Sequence, residues 1–298
     1  MDILFINIDE RCNCECPFCF YNTGYLRRRE SLLSENHLAA VIDDAIEMRV
    51  KGIIFTGGEP LMGGEKRLAM IERLVRKARE GGVYTLLLTN GSYLKPGSSE
   101  RLAEAGLGGV SVGLDTLSGI EGYKIAGWRG VEAALAQDLR VTVIMTLTSE
   151  NYVDLAAIYR FAATRGLGLI LQPAFIPGES PLFDKISLHT LPSSELESLF
   201  EKITGWAKNF GMEKYLGYFK GLYDLPGGTK PASCEMGSNV GIVEPDGSVV
   251  PCFHRRDIVA GNIGKERLAD IAEKLREISA PLADAHCFGE HCVSLFTN

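Results

Sequence analysis

Six apolar runs, each followed by a segment of helical period, constrain this chain more than any other feature. Ile3 to Ile8 reads as a strand. Gly52 to Thr56, Val83 to Thr89, Val110 to Leu114, Val141 to Leu147 and Leu167 to Gln172 follow it. These runs do not alternate apolar with polar residues, as a strand with one wet face does. Strands buried on both faces read this way, and they belong to parallel sheets. The segments between them carry helix signals. Ser34 is an N-cap, and Leu38, Val41, Ile42, Ala45 and Ile46 make one apolar helical face that Gly52 ends. Leu68, Ile71, Leu74 and Val75 repeat the pattern up to Gly81-Gly82. Six strand–helix units predict an α/β fold, a partial (β/α)6 TIM-like barrel. In parallel barrels the chemistry sits at the C-terminal ends of the strands. Cys12, Gly57 and Asn90 each follow such an end.

The pattern stops after Pro173, so the barrel is expected over 1–176. Residues 177–210 read as a linker, Pro177 to Pro192, and a helix, Ser194 to Phe210. Residues 211–298 read as a small C-terminal unit, Gly-rich and unassigned up to 239. Within it, Val240 to Val243 and Ser248 to Pro251 flank Glu244-Pro245-Asp246-Gly247, a hairpin signal, and Arg267 to Ile278 is a last helix.

The net charge of −7 argues against nucleic acid as a partner. The chain has no apolar stretch long enough to cross a bilayer. Met1-Asp2-Ile3-Leu4-Phe5 has no basic segment before its apolar residues, so it is not a signal peptide. A cytoplasmic protein with no membrane partner is expected. In that compartment thiols stay reduced, and clustered cysteines mean metal. Arg27-Arg28-Arg29 reads as a solvated face, with a grip on an anionic group as the alternative.

The N-terminal cysteines stand in Arg11-Cys12-Asn13-Cys14-Glu15-Cys16-Pro17-Phe18-Cys19. Three thiolates in C-x3-C-x2-C spacing can hold three irons of a cubane cluster and leave the fourth iron open. An open metal position marks a catalytic site. A zinc site with Cys14 as fourth ligand is the alternative, crowded because Cys14 is two residues from both Cys12 and Cys16. Thr56-Gly57-Gly58-Glu59-Pro60 follows the second strand, and its glycines let the backbone approach a ligand. Cys234, Cys252, Cys287 and Cys292 form a second set that can complete a second cubane. Structural zinc is the alternative there, with His254, His286 and His291 as competing ligands or pocket residues.

The C-x3-C-x2-C loop with Phe18 before its last cysteine resembles the signature of the radical S-adenosylmethionine (radical SAM) superfamily. The resemblance implies a [4Fe–4S] cluster on Cys12, Cys16 and Cys19, whose open iron chelates S-adenosylmethionine. It also implies reductive release of a 5′-deoxyadenosyl radical, and an electron donor such as flavodoxin or ferredoxin. Gly57, Gly58 and Glu59 match the Gly-Gly-Glu segment that receives the methionine ammonium. Asn90, Ser111, Asp115 and Thr146, with Thr148 and Asn151 nearby, fall where family members hold ribose and carboxylate. The second cysteine set resembles the C-terminal extension called SPASM in its long form and twitch in its short form. With four cysteines the short form, with one auxiliary cluster, fits better. Two [4Fe–4S] clusters are therefore expected.

A fully ligated auxiliary cluster implies electron transfer. The substrate radical loses a proton to a base and an electron to the cluster, which makes the chain an oxidoreductase on an unactivated C–H bond. A peptide or protein side chain is the expected substrate, since that class is populous among such relatives. The first strand begins at residue 3, so no fused peptide-recognition domain is expected before it. The alternatives are a small-molecule dehydrogenase or epimerase, acting on an aminocyclitol, aminosugar or cofactor precursor, and a non-catalytic metal-binding scaffold.

Overall fold

The computed structural model describes residues 1–229 and 234–284. The six runs form β1 (Ile3–Asn7), β2 (Gly52–Thr56), β3 (Tyr84–Thr89), β4 (Gly109–Gly113), β5 (Arg140–Leu147) and β6 (Gly168–Pro173). They pair in parallel and in sequence order. Helices α1 (Glu35–Glu47), α2 (Gly64–Glu80), α3 (Pro96–Ala105), α4 (Gly127–Leu135) and α5 (Leu155–Ala163) return the chain between them. Ser34 caps α1 as expected: its Oγ accepts from His37 N at 3.3 Å, and His37 Nδ1 accepts from Ser34 N at 3.2 Å. One face of the sheet, with Leu4, Ile6, Phe55, Leu87, Val112 and Val143, is sealed against these helices in one core. The other face, with Leu88, Gly113, Ile144 and Thr146, lines a cavity.

The stretch Pro177 to Pro192, expected as a linker, is folded against the barrel. It contains α6 (Phe183–Ile186) and a 3-10 turn over Leu188–Thr190, with Ile186 and Leu188 buried. Ser149 N donates to Ile186 O at 3.0 Å. Its prolines and glycines shape turns rather than a free strand of chain. After α7 (Ser193–Ala207), the unassigned Gly-rich region holds α8 (Glu213–Leu222). Phe200 of α7 meets Phe219 of α8 edge-on at 4.9 Å between ring centroids. Gly217 and Gly221 weaken the helix signal, but packing needs them. A Cβ on Gly221 would lie 2.2 Å from Thr229 O.

The C-terminal hairpin forms as expected, from β7 (Val240–Val243) and β8 (Ser248–Val250), with a two-residue β9 (Gly261–Asn262) beside it. It does not stand apart. β7 pairs in parallel with β1, from Ile3↔Val240 to Ile6↔Val243, so one nine-stranded sheet runs β6-β5-β4-β3-β2-β1-β7-β8-β9. The last helix, α9 (Leu268–Asp284), is tied to α1 where Leu268 N and the Arg267 guanidinium both donate to the Asp44 carboxylate. Among the described residues no helix is long and apolar enough to cross a membrane.

Candidate active site

The cysteine loop leaves β1 and folds back over the end of β2. Two glycines make that possible. Gly58 N donates to Asp9 O and Glu59 N to Arg11 O, both at 2.8 Å. A Cβ on Gly57 would sit 2.2 Å from Asp9 O, and one on Gly58 would sit 2.4 Å from Arg11 O. A side chain at either position would push the loop off the strand ends. Beyond this crossing the chain turns tightly. Cys19 N donates to Cys16 O, and Asn22 Nδ2 holds the same carbonyl at 2.9 Å. Cys12, Cys14, Cys16 and Cys19 all line the cavity, whose volume is about 750 Å³. The neighbouring Cys14 thiol, the Cys14 N–H at 3.4 Å and the Asn90 amide at 3.6 Å draw Cys12 down to about 6 against burial. Cys16 is lowered, first by Cys14, and burial raises Cys19. Two thiols in this loop are thus biased toward thiolate. Phe18 is buried against Tyr123, with ring centroids 5.6 Å apart.

The expected ligand residues divide into those that face the cavity and those behind it. Gly57, Gly58, Asn90 and Thr146 line it. Asn90 Nδ2 reaches Cys12 Sγ at 3.6 Å, and Gln172 Nε2 donates to Thr146 Oγ1 at 3.2 Å. Glu59 does not line the cavity. Its carboxylate is fully buried and accepts from Leu61 N (3.0 Å), Thr89 Oγ1 (2.8 Å) and Asn90 N (2.8 Å). Burial pushes it above the usual carboxyl range against these donors. Ser111 is the ladder partner of Leu88 and Thr142, on the cavity side of the sheet, but is buried one pair below Gly113. Asp115 is also fully buried. It accepts from Thr146 N at 2.9 Å and sits 3.3 Å from Lys124 Nζ. Thr148 and Asn151 clamp this corner, since Asn151 Nδ2 donates to the carbonyls of Asp115 and Thr146.

Lys124 was not among the expected residues. It lines the cavity, 5.4 Å over the Phe18 ring, and Asp115 N donates to its carbonyl at 2.9 Å. Burial opposes its charge, but the Asp115 carboxylate and Cys16 outweigh it and raise the ammonium. The polar part of the cavity thus presents thiols, glycine backbone, three amides (Asn7, Asn90 and Gln172), two threonines (Thr89 and Thr146), Ser187, Glu179 and one lysine. That donor set suits a thiolate-held cluster with an amino acid beside it, whose carboxylate Lys124 can face.

The remaining wall is aromatic. Phe20 and Tyr25 of the cysteine loop meet Phe175, just past β6, at 6.1 and 4.8 Å, and His254 of the C-terminal part closes the group, 4.9 Å from Phe175 and 5.1 Å from Phe20. Burial pushes the His254 imidazole down to about 4.

A buried charge cluster pins the cysteine loop to the C-terminal hairpin. Arg256 Nε lies 2.7 Å from Glu244 Oε1, and its Nη2 bonds both Glu244 and Glu10, the residue two before Cys12. Asn7 Nδ2 bridges the two carboxylates at 2.9 and 3.2 Å. Arg28 and Arg29, read from sequence as a solvated face, belong to this tie. Arg28 donates to Glu10 O, and Arg29 donates to Asp246 at 2.7 Å, Ser248 at 2.6 Å and Arg256 O at 2.9 Å. Nothing in their sequence spacing signals partners more than two hundred positions away.

Of the second cysteine set, Cys252 follows β8, and Cys234 leads into the turn before β7. Gly237 of that turn approaches Pro251 so closely that a Cβ there would lie 3.0 Å from Pro251 Cβ. Cys287 and Cys292, with His286 and His291, lie outside the described residues.

Comparison with known proteins follows these two regions. The sequence profile of the radical SAM superfamily matches residues 6–162, and that of SPASM, an iron–sulfur cluster-binding domain, matches residues 234–292. A GTP 3′,8-cyclase of Rhodopseudomonas palustris (strain TIE-1) is 31% identical over 188 residues, which cover 60% of this chain and 54% of that protein. The chain thus spans about half the length of that relative. The GTP 3′,8-cyclase of Sulfurimonas denitrificans is 26% identical over 305 residues, 93% of this chain and 89% of that protein. Among solved structures, anSMEcpe with bound AdoMet superposes with a TM-score of 0.69 at 20% identity, over 94% of this chain and 83% of that one. The same enzyme has also been solved with AdoMet and a peptide.

Proposed function

From the premise that this chain belongs to the radical SAM superfamily and ends in an iron–sulfur cluster-binding domain, we propose that it is an oxidoreductase acting on an unactivated C–H bond of a peptide or protein side chain. Enzymes of this superfamily bind S-adenosylmethionine and a [4Fe–4S] cluster, and the SPASM domain binds further iron–sulfur clusters. When bound, these groups supply a reducing electron and a radical able to take a hydrogen atom from carbon.

The chain's own residues have narrower tasks in this reading. Cys12, Cys16 and Cys19 hold the first cluster. The Gly57 and Gly58 backbone receives the ammonium of S-adenosylmethionine, and Lys124 faces its carboxylate. Asn90 and Thr146 orient the rest of the molecule. Glu59 and Asp115 act from behind, one fixing Asn90 and the other Lys124. Cys234, Cys252, Cys287 and Cys292 would hold the second cluster, which would supply an electron acceptor beside the substrate. A small iron–sulfur or flavin protein delivers the first electron.

The observation that carries this reading is the convergence of the four thiols, the glycine backbone and Lys124 on one cavity of about 750 Å³ with an apolar far wall. A second reading, a small-molecule substrate, is favoured by the 26% identity to a GTP 3′,8-cyclase over 93% of the chain. Anaerobically reconstituted protein, given dithionite and S-adenosylmethionine, is expected to form 5′-deoxyadenosine. Deuterium should enter that product from a perdeuterated peptide and not from deuterated GTP. Absence of 5′-deoxyadenosine would overturn the radical reading. Transfer from GTP alone would overturn the peptide reading.

A further inference from the structure

The charge of the cavity restricts the substrate further. Among the described residues that line it, Lys124 is the single lysine or arginine, and its Nζ is already 3.3 Å from Asp115. Of the residues outside those described, 285–298 contain no lysine or arginine, and 230–233 contain one, Lys230. A triphosphate brings several negative charges into this cavity. Each is stabilised there by cations or by convergent hydrogen-bond donors, since an uncompensated buried charge is costly. Three arginines of the cysteine loop are otherwise engaged: Arg11 is bound to Asp9, and Arg28 and Arg29 are bound to Glu10, Asp246, Ser248 and the carbonyl of Arg256. The thiolates that the first cluster requires add negative charge.

What the cavity does offer is ring surface. Phe20, Tyr25, Phe175 and His254 form a continuous wall with centroids 4.8 to 6.1 Å apart. They come from three separate parts of the chain: the cysteine loop, the segment after β6 and the C-terminal part. A wall assembled this way lies beside the thiols and changes if any of the three parts moves. Its rings attract other rings and aliphatic groups by dispersion and edge-to-face contact.

Resting on the radical SAM reading above, we propose that this wall is a substrate subsite for an uncharged aromatic or aliphatic side chain. The target is then an apolar residue of a peptide, and a phosphorylated nucleotide is rejected. The subsite holds the side chain by its rings, and the scarcity of cations among the described lining residues disfavours polyanions.

Saturation-transfer NMR on the reconstituted, cluster-loaded protein tests this without turnover. The probes are N-acetyl-L-phenylalaninamide, N-acetyl-L-leucinamide and GTP, each with S-adenosylmethionine present. Both amides should receive saturation, and GTP should not. In Phe175→Leu, which keeps apolar volume but loses the ring, binding of the phenylalanine probe should weaken by roughly two- to tenfold. Phe20→Leu, on a different segment, should act the same way. Circular dichroism and dithionite-driven formation of 5′-deoxyadenosine are measured beside each variant. Silence of both amides, saturation of GTP, or an unchanged phenylalanine signal in both variants would overturn the subsite. Failure of 5′-deoxyadenosine formation in the wild type would instead overturn the radical reading, so the two failures are distinguishable.

Discussion

Replacing Glu59 with Gln separates two roles for this residue that predict different losses. Glu59 Oε1 accepts from Leu61 N and Glu59 Oε2 from Asn90 N, with the Thr89 hydroxyl within reach of both oxygens. A glutamine has one oxygen and one NH2 in the same places. Whichever way it turns, its NH2 faces a backbone N–H, Leu61 in one orientation and Asn90 in the other. One buried donor is left unsatisfied, at a cost of about 1–3 kcal/mol. Thermal unfolding followed by circular dichroism under anaerobic conditions should therefore fall by a few degrees, since about 1 kcal/mol moves a large domain by roughly 2–4 °C. The carboxylate does not line the cavity, so affinity for S-adenosylmethionine by calorimetry should fall by less than about tenfold, through displacement of Asn90 alone. An unchanged melting temperature with a loss nearer a hundredfold would refute this, and would show that Glu59 touches the ammonium directly.

Other outcomes follow from the same geometry. Lys124→Met should weaken S-adenosylmethionine binding by roughly ten- to a hundredfold in calorimetry, because a charged hydrogen bond is worth about 1.5–3 kcal/mol; unchanged affinity would remove Lys124 from the site. Cys16→Ala should abolish 5′-deoxyadenosine formation and about half of the iron, whereas Cys14→Ala should keep both. Loss of iron in the Cys14 variant would mean that the fourth thiol is a ligand. Arg256→Met leaves Glu10 and Glu244 buried without their cation, and should destabilise the protein by about 3–5 kcal/mol. Denaturation that moves by less than about 1 kcal/mol would show that water or protons replace the pair.

The barrel strands were legible because burial on both faces writes an unbroken apolar run, and the cysteine loop because its spacing is local. What escaped depends on orientation or distance. Glu59 is the right residue type in the right motif, but sequence does not say whether a carboxylate turns toward the cavity or toward Leu61, Thr89 and Asn90. Lys124 stands in Gly119 to Gly127, a stretch of no period, and contacts with Asp115 through both its carbonyl and its Nζ bring it to the site. Gly217 and Gly221 hid α8 because close packing on Thr229, not helix propensity, decides that segment. The Glu10–Arg256–Glu244 cluster joins residues from opposite ends of the chain, and no window contains both.

The parallel pairing of β1 with β7 has a consequence for the order in which the molecule can form. One edge of β1 receives β2 within about fifty residues of chain, but the other waits for Val240, in a pairing as distant as that of Asn7 and Glu244, 237 positions apart. At a synthesis rate of roughly 5–20 residues per second, that edge stays open for roughly ten to fifty seconds after β1 leaves the ribosome. An unpaired apolar edge is a template for another chain, and contacts this remote form late and slowly. Asn7 and Glu10, buried in the finished protein, stay wet for the same interval because their partners Glu244 and Arg256 do not yet exist. The cysteine loop is therefore made long before the segment that holds it in place.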